Sequence, residues 1–111
     1  MSTITTHILD TSIGRPASGV TLILEKGGGG GWRTVGRGTT DIDGRCGSLL
    51  KGGKLKKGTY RLTFGVAAYF KRTSQTAFYP SISIVFQARD SRHHHVPLLL
   101  SPWGYSTYRG S

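Results

Sequence analysis

The chain has one cysteine, one methionine and only five acidic residues in 111 positions. The single cysteine, Cys46, cannot close an internal disulfide, and no second thiol is present to build a cysteine-rich metal site. Disulfide-stapled extracellular scaffolds are therefore excluded. Arg45 beside it could lower the thiol pKa and create a nucleophile, against the plainer reading of a half-buried small residue. Long apolar runs are absent as well. None approaches the roughly 18 to 20 residues needed to cross a bilayer, so a soluble protein with no membrane partner is expected. The opening Met1-Ser2-Thr3-Ile4-Thr5-Thr6-His7 has neither the basic start nor the continuous apolar stretch of a secretory signal. That predicts a mature chain starting here and residing in the cytoplasm. Neither an internal repeat nor a second domain is evident, so residues 1–111 are expected to form one domain, a size at which folding buries only about two thirds of the unfolded surface.

Scarcity of acid leaves a formal net charge of +10, from 15 Lys plus Arg against five Asp plus Glu, a field that favours anionic partners. Lys51, Lys54, Lys56, Lys57, Arg89 and Arg92 fall in loop-like stretches. No basic helix or nucleic-acid module accompanies them, so a solvated surface is expected, with no specific nucleic acid as partner.

What is present is a series of short strands. β-branched and aromatic residues cluster in runs of about five to ten, with Gly, Pro, Ser or Asp between them. Thr3 to Leu9 is the first run, and Val20 to Lys26 follows the turn material Gly14 to Gly19. Trp32 to Arg37 is reached through Gly27 to Gly31, five consecutive glycines whose ordering would cost too much entropy inside a packed element, so a hairpin tip is predicted. Tyr60, Leu62, Phe64 and Val66 alternate with Arg61, Thr63 and Gly65, the period of a strand with one buried face. Ile82, Ile84 and Phe86 repeat it, and His93 to Leu100 and Gly104 to Arg109 complete the set. Ala67 to Arg72 reads as one short helix. Seven or eight strands with turns every 8 to 12 residues indicate an all-β sandwich.

Four histidines stand at His7 in the first strand and at His93, His94 and His95 in a later one. In a strand His93 and His95 share a face while His94 points the other way. With His7 from a neighbouring strand, three imidazoles would match the ligand set of a catalytic zinc. The run flows directly into Val96-Pro97-Leu98-Leu99-Leu100, so it belongs to the fold. Arg45 follows Asp43-Gly44, a tight-turn signal, and could hold an anion or a developing oxyanion.

Several separated segments resemble one family. Thr5-Thr6-His7-Ile8-Leu9-Asp10 with Gly14-Arg15-Pro16-Ala17, then Thr40-Asp41-Ile42-Asp43-Gly44-Arg45, Tyr60-Arg61-Leu62-Thr63-Phe64, Phe78-Tyr79-Pro80, His95-Val96-Pro97-Leu98-Leu99-Leu100-Ser101-Pro102 and the terminal Tyr108-Arg109-Gly110-Ser111 are similar to the transthyretin-related family of 5-hydroxyisourate hydrolases. The resemblance implies a transthyretin-like sandwich and the opening of a ring amide of 5-hydroxyisourate in urate breakdown, with no cofactor and no metal. His7, Arg45, His95 and Ser111 would be catalytic, and His7, Arg45, Tyr108 and Arg109 would bind substrate. It also implies a homotetramer whose pockets are shared between subunits. A transthyretin-like small-ligand-binding module is the alternative, though transthyretin has other residue types at the two histidines and the arginine. His94 where the family usually has tyrosine, Gly65 where aspartate is common, and the five-glycine run leave open an engineered variant with altered activity.

Overall fold

The computed structural model describes residues 4–50, 54–90 and 92–110. Among these the chain forms β1 (Ile4–Asp10), β2 (Arg15–Pro16), β3 (Thr21–Gly28), β4 (Gly31–Thr39), β5 (Arg45–Cys46), β6 (Gly58–Gly65), α1 (Ala67–Arg72), β7 (Ile82–Ala88), β8 (His94–Ser101) and β9 (Gly104–Thr107). One sheet runs β2-β1-β8-β9, with β5 also pairing with β1, and the other runs β4-β3-β6-β7. The expected all-β sandwich is present. Seven longer strands match the anticipated runs to within a few residues, and β2 and β5 are two-residue pairings with no periodicity of their own to betray them.

Alternation decides which side chains meet between the sheets. In β1, Ile4, Thr6, Ile8 and Asp10 turn inward while Thr5, His7 and Leu9 turn outward. Facing them across the core are Leu22 and Leu24 of β3 and Tyr60, Leu62 and Phe64 of β6, with Leu98 and Leu100 of β8 beside the β1 residues. Phe64 has no exposed surface, and truncating it to alanine would cost about 3–5 kcal/mol. Burial in β7 is weaker than its sequence pattern suggests. Ile82 is buried, Ile84 and Phe86 are half-buried and Val85 is exposed, because β7 lies at the edge of its sheet. Gly28 pairs with Gly31, so the glycine run closes as a hairpin with Gly29-Gly30 at its tip.

Helix α1 occupies the predicted residues and buries Tyr69 and Phe70. Lys71 and Arg72 in its last turn complement the negative end of the helix dipole, and Arg72 donates to the Ser18 carbonyl at 2.7 Å. One long-range pairing positions everything that follows. β1 and β8 run parallel, in register from Ile4 beside His94 to Asp10 beside Leu100, so the first strand lies against the histidine run. Lys54, Lys56, Lys57, Arg89 and Arg92 are exposed in loops as expected, and Lys51 lies outside the described residues.

Candidate functional site

Two registers on β1 assemble the site. Thr5 stands beside His95 of β8, and His7 stands beside Arg45 of β5. Thr5 and His7 are two apart, so both project from the outer face of the sheet.

Arg45 reaches its place through a turn that the side chain of Asp41 organises. Its Oδ1 accepts from the backbone N–H of Asp43 at 2.9 Å and of Arg45 at 3.0 Å, as short acidic side chains do in such turns. Gly44 has φ of 73°, and a Cβ there would lie 2.5 Å from the Ile8 carbonyl oxygen. Only glycine fits both constraints. The Gly44 carbonyl then accepts from Ile8 N–H at 2.8 Å, which docks the turn onto β1.

The result is a cleft of about 300 Å³ lined by Thr5, Thr6, His7, Arg45, Cys46, Gly47 and His95. Cys46 is buried rather than half-buried, with Sγ 3.9 Å from Ser48 Oγ. His95 is held on two sides. Its Nδ1 lies 2.8 Å from Thr5 Oγ1, and its carbonyl accepts from Gly110 N–H at 2.8 Å. A Cβ on Gly110 would fall 2.4 Å from His95 Cδ2, so the terminal segment lies directly against the imidazole and tolerates no side chain there. Burial, reinforced by the neighbouring His7, His93 and Arg45, pushes the His95 pKa below the usual histidine value. The ring is thereby favoured in its neutral form, with a lone pair to offer.

His94 turns inward as alternation predicted and is buried, yet among the described residues neither ring nitrogen makes a well-formed hydrogen bond. Burial and Arg109 lower its pKa, and Asp90, 3.9 Å from Nε2, together with the Arg92 backbone, partly offsets them. Tyr108 and Arg109 are not in the cleft of their own chain. They border a separate cavity of about 250 Å³ formed with residues 84–87 of β7 and 94–96 of β8. Ser111 lies outside the described residues.

His7, Arg45 and His95 thus line one cleft. Thr5 joins them without having stood out in the sequence, although its place two residues before His7 on a strand puts it on the same face. The zinc reading lacks its ligand set. Among the described residues no three His, Cys, Asp or Glu side chains converge to hold an ion, and His93 Nε2 and His95 Nδ1 both point at one threonine hydroxyl. Two imidazoles and a guanidinium over one cleft can move protons and stabilise an oxyanion.

The sequence profile of the HIUase/Transthyretin family matches residues 4–110. The 5-hydroxyisourate hydrolase of Mus musculus is 44% identical over 113 residues, spanning 99% of this chain and 96% of the mouse protein. The solved 5-hydroxyisourate hydrolase of Klebsiella pneumoniae superposes with a TM-score of 0.85 at 38% identity, covering 97% of this chain and 98% of that one. Sea bream transthyretin, solved in complex with thyroxine, gives a TM-score of 0.89 at 33% identity, covering 96% and 93%.

Proposed function

Since the chain belongs to the HIUase/transthyretin family and, like the hydrolases it matches, hydrolyses 5-hydroxyisourate in urate breakdown, we propose that His95, His7 and Arg45 carry out that reaction. The observation that carries this assignment is the pair of registers on β1, which set all three groups around one cleft. The reaction adds water to a ring amide carbon and breaks the carbon–nitrogen bond, giving 2-oxo-4-hydroxy-4-carboxy-5-ureidoimidazoline. His95, favoured in its neutral form chiefly by burial, takes a proton from the attacking water. Arg45 faces the oxygen on which negative charge develops, where a fixed guanidinium acts most strongly. His7, across from Arg45, delivers a proton to the departing nitrogen. No cofactor enters this scheme.

We extend the reading to a homotetramer with shared pockets, in which Tyr108, Arg109 and Ser111 complete a neighbouring subunit's site. Two observations support it. The cleft lies on an uncovered sheet face where Leu9 and Leu99, paired side by side, are only half-buried. Tyr108 and Tyr105 are 58% and 43% exposed at an edge of the kind that invites pairing. With +10 per chain, repulsion weakens assembly at low salt, where the Debye length exceeds about 10 Å. Light scattering across ionic strength, with turnover on the same samples, should show assembly and activity rising together; a fully active monomer would refute the shared pocket. The proposed compartment is the cytoplasm, consistent with one buried thiol and no helix long and apolar enough to cross a membrane among the described residues.

Ultraviolet monitoring of freshly generated 5-hydroxyisourate tests the activity, since spontaneous decay supplies the baseline. Added protein should accelerate the decay. Absence of acceleration would favour the small-ligand module, whose fold is equally well matched, or a variant of the hydrolase with altered activity.

A further inference from the structure

The cleft contains one polar contact that the proposed chemistry has not used. Thr5 Oγ1 lies 2.8 Å from His95 Nδ1 and 2.9 Å from His93 Nε2, so one hydroxyl bridges two imidazoles. His93 does not line the substrate cleft. It is exposed and borders the adjoining surface formed by Arg92, Arg109 and Gly110, and Arg109 Nη2 sits 3.4 Å from its carbonyl. We propose that Thr5 is a positioning residue, anchored by His93, that holds His95 with its Nε2 lone pair free for the attacking water. The proposal rests on the hydrolase reading above and names the group that sets the state of its base.

The number of available protons limits how the three groups can be joined. A hydroxyl has a single hydrogen to give, and it can accept from a second partner. Between two neutral imidazoles, Thr5 can therefore donate to one ring while accepting from the other. If it donates to His93 Nε2, then His95 Nδ1 must be the N–H that donates to Thr5, and Nε2 of His95 is bare. In the reverse polarity His95 Nδ1 accepts, its proton sits on Nε2, and the ring cannot act as a base there. The first polarity also needs no rearrangement during reaction. When His95 gains a proton from water, its Nδ1–H already donates to Thr5, and that bond strengthens as the ring becomes charged. Solvent-facing His93 can keep its own hydrogen on Nδ1, in water, and leave Nε2 to accept. A base oriented by a third group is a general requirement of such sites, and here the third group is a threonine rather than a carboxylate.

The experiment measures the tautomer and the rate together. Nitrogen-15 NMR of histidine-labelled protein at neutral pH should show His95 protonated at Nδ1 in the wild type and shifted toward the Nε2–H form in Thr5→Val. Thr5→Val should lower kcat roughly ten- to a hundred-fold with KM changed less than about threefold, as loss of an orienting partner does. Thr5→Ser keeps the hydroxyl and should recover most of both signals. His93→Gln keeps an acceptor and should stay nearer the wild type than His93→Ala; since His93 is exposed, neither should disturb folding. A Thr5→Val protein with wild-type kcat and an unchanged His95 tautomer would overturn the proposal, as would an Nε2–H tautomer in the wild type. A wild-type protein with the expected tautomer but no turnover would instead count against the hydrolase reading.

Discussion

Strands β1 and β8 lie side by side from end to end, and their two ends treat buried polar groups in opposite ways. At one end Asp10 has no exposed surface and is saturated: Ser12 donates to Oδ1 through N–H at 3.0 Å and Oγ at 2.5 Å, and Tyr69 Oη and Gln75 Nε2 donate to Oδ2 at 2.7 and 3.1 Å. Burial alone would raise its pKa, but these hydrogen bonds outweigh it and hold the carboxyl below the usual carboxylate value. At the other end His94 is only 3% exposed and, among the described residues, makes no well-formed hydrogen bond, while His95 has one side-chain partner. A buried charge survives only when it is fully hydrogen-bonded. The Asp10 end ties α1 to the sheet, whereas the histidine end keeps its rings neutral and so available for proton transfer.

Removing the working groups should produce the largest effect and touch only one end. His7→Ala, His95→Ala and Arg45→Ala are each expected to lower kcat/KM by roughly a hundred-fold or more, which is about 2.7 kcal/mol of transition-state stabilisation. Steady-state rates with matched thermal melts check this. The melting temperatures should move little, since His7 and His95 are only half-buried and Arg45 is exposed. A variant with an undiminished rate would leave the mechanism.

The converse substitution tests the Asp10 end. Asp10→Ala leaves the Tyr69 hydroxyl buried without its acceptor and unties α1, and should cost about 2 kcal/mol of stability. Turnover per folded molecule should remain within a few-fold of the wild type. Urea titration measures the first and active-site-normalised kinetics the second. Loss of activity beyond loss of fold would show that the two ends are not independent.

Both ends were partly visible in the sequence, for a definite reason. Period-two alternation is local, so the inward turn of His94, the outward turn of His7, and strands such as β6 follow from neighbouring residues alone. The Asp41-to-Arg45 turn is also local. Pairing is not. Nothing in Thr5 or His95 states that their strands run parallel in register, and without that fact the threonine between two imidazoles cannot be found. Asp10 met its partners Tyr69 and Gln75 across some 60 residues of chain, equally out of reach. Tyr108 and Arg109 follow β9 and border the cavity between β7 and the His94–Val96 stretch of β8, a placement that again depends on strand pairing and not on neighbouring residues.

Acid should unfold the two ends at different pH. His94 and His95 have pKa values lowered from 6.5, so below about pH 6.5 the unfolded chain binds protons that the folded chain refuses, and stability falls as pH falls. Asp10 is lowered from 3.8, so its contribution is intact above that value and is lost only as pH drops further. Denaturant midpoints measured from pH 8 to pH 3 should therefore show two successive declines, the first absent if the histidines are not the buried groups responsible.

The smallest effect, and the sharpest test of the contrast, is expected from His94→Tyr. The ring borders the 250 Å³ cavity between β7 and the terminal segment, so the larger side chain has room to extend. Tyrosine buries no pair of unsatisfied nitrogens, and its single hydroxyl lies at the tip of the ring, where the side chain of Asp90, 3.9 Å from His94 Nε2, offers an acceptor. Relieving the orphaned nitrogens should stabilise the fold by about 1 kcal/mol at pH 7. The sign of the pH dependence distinguishes this from a simple packing gain. Tyrosine does not titrate between pH 7 and pH 4, whereas the histidine loses stability as pH drops through 6.5, so the advantage of the variant should widen in acid. A packing gain alone would be constant with pH. Because His94 faces away from the cleft, kcat/KM should stay within about threefold of the wild type. A constant difference between pH 7 and pH 5 would remove His94 from the acid-sensitive end and leave His95 as the group that titrates there.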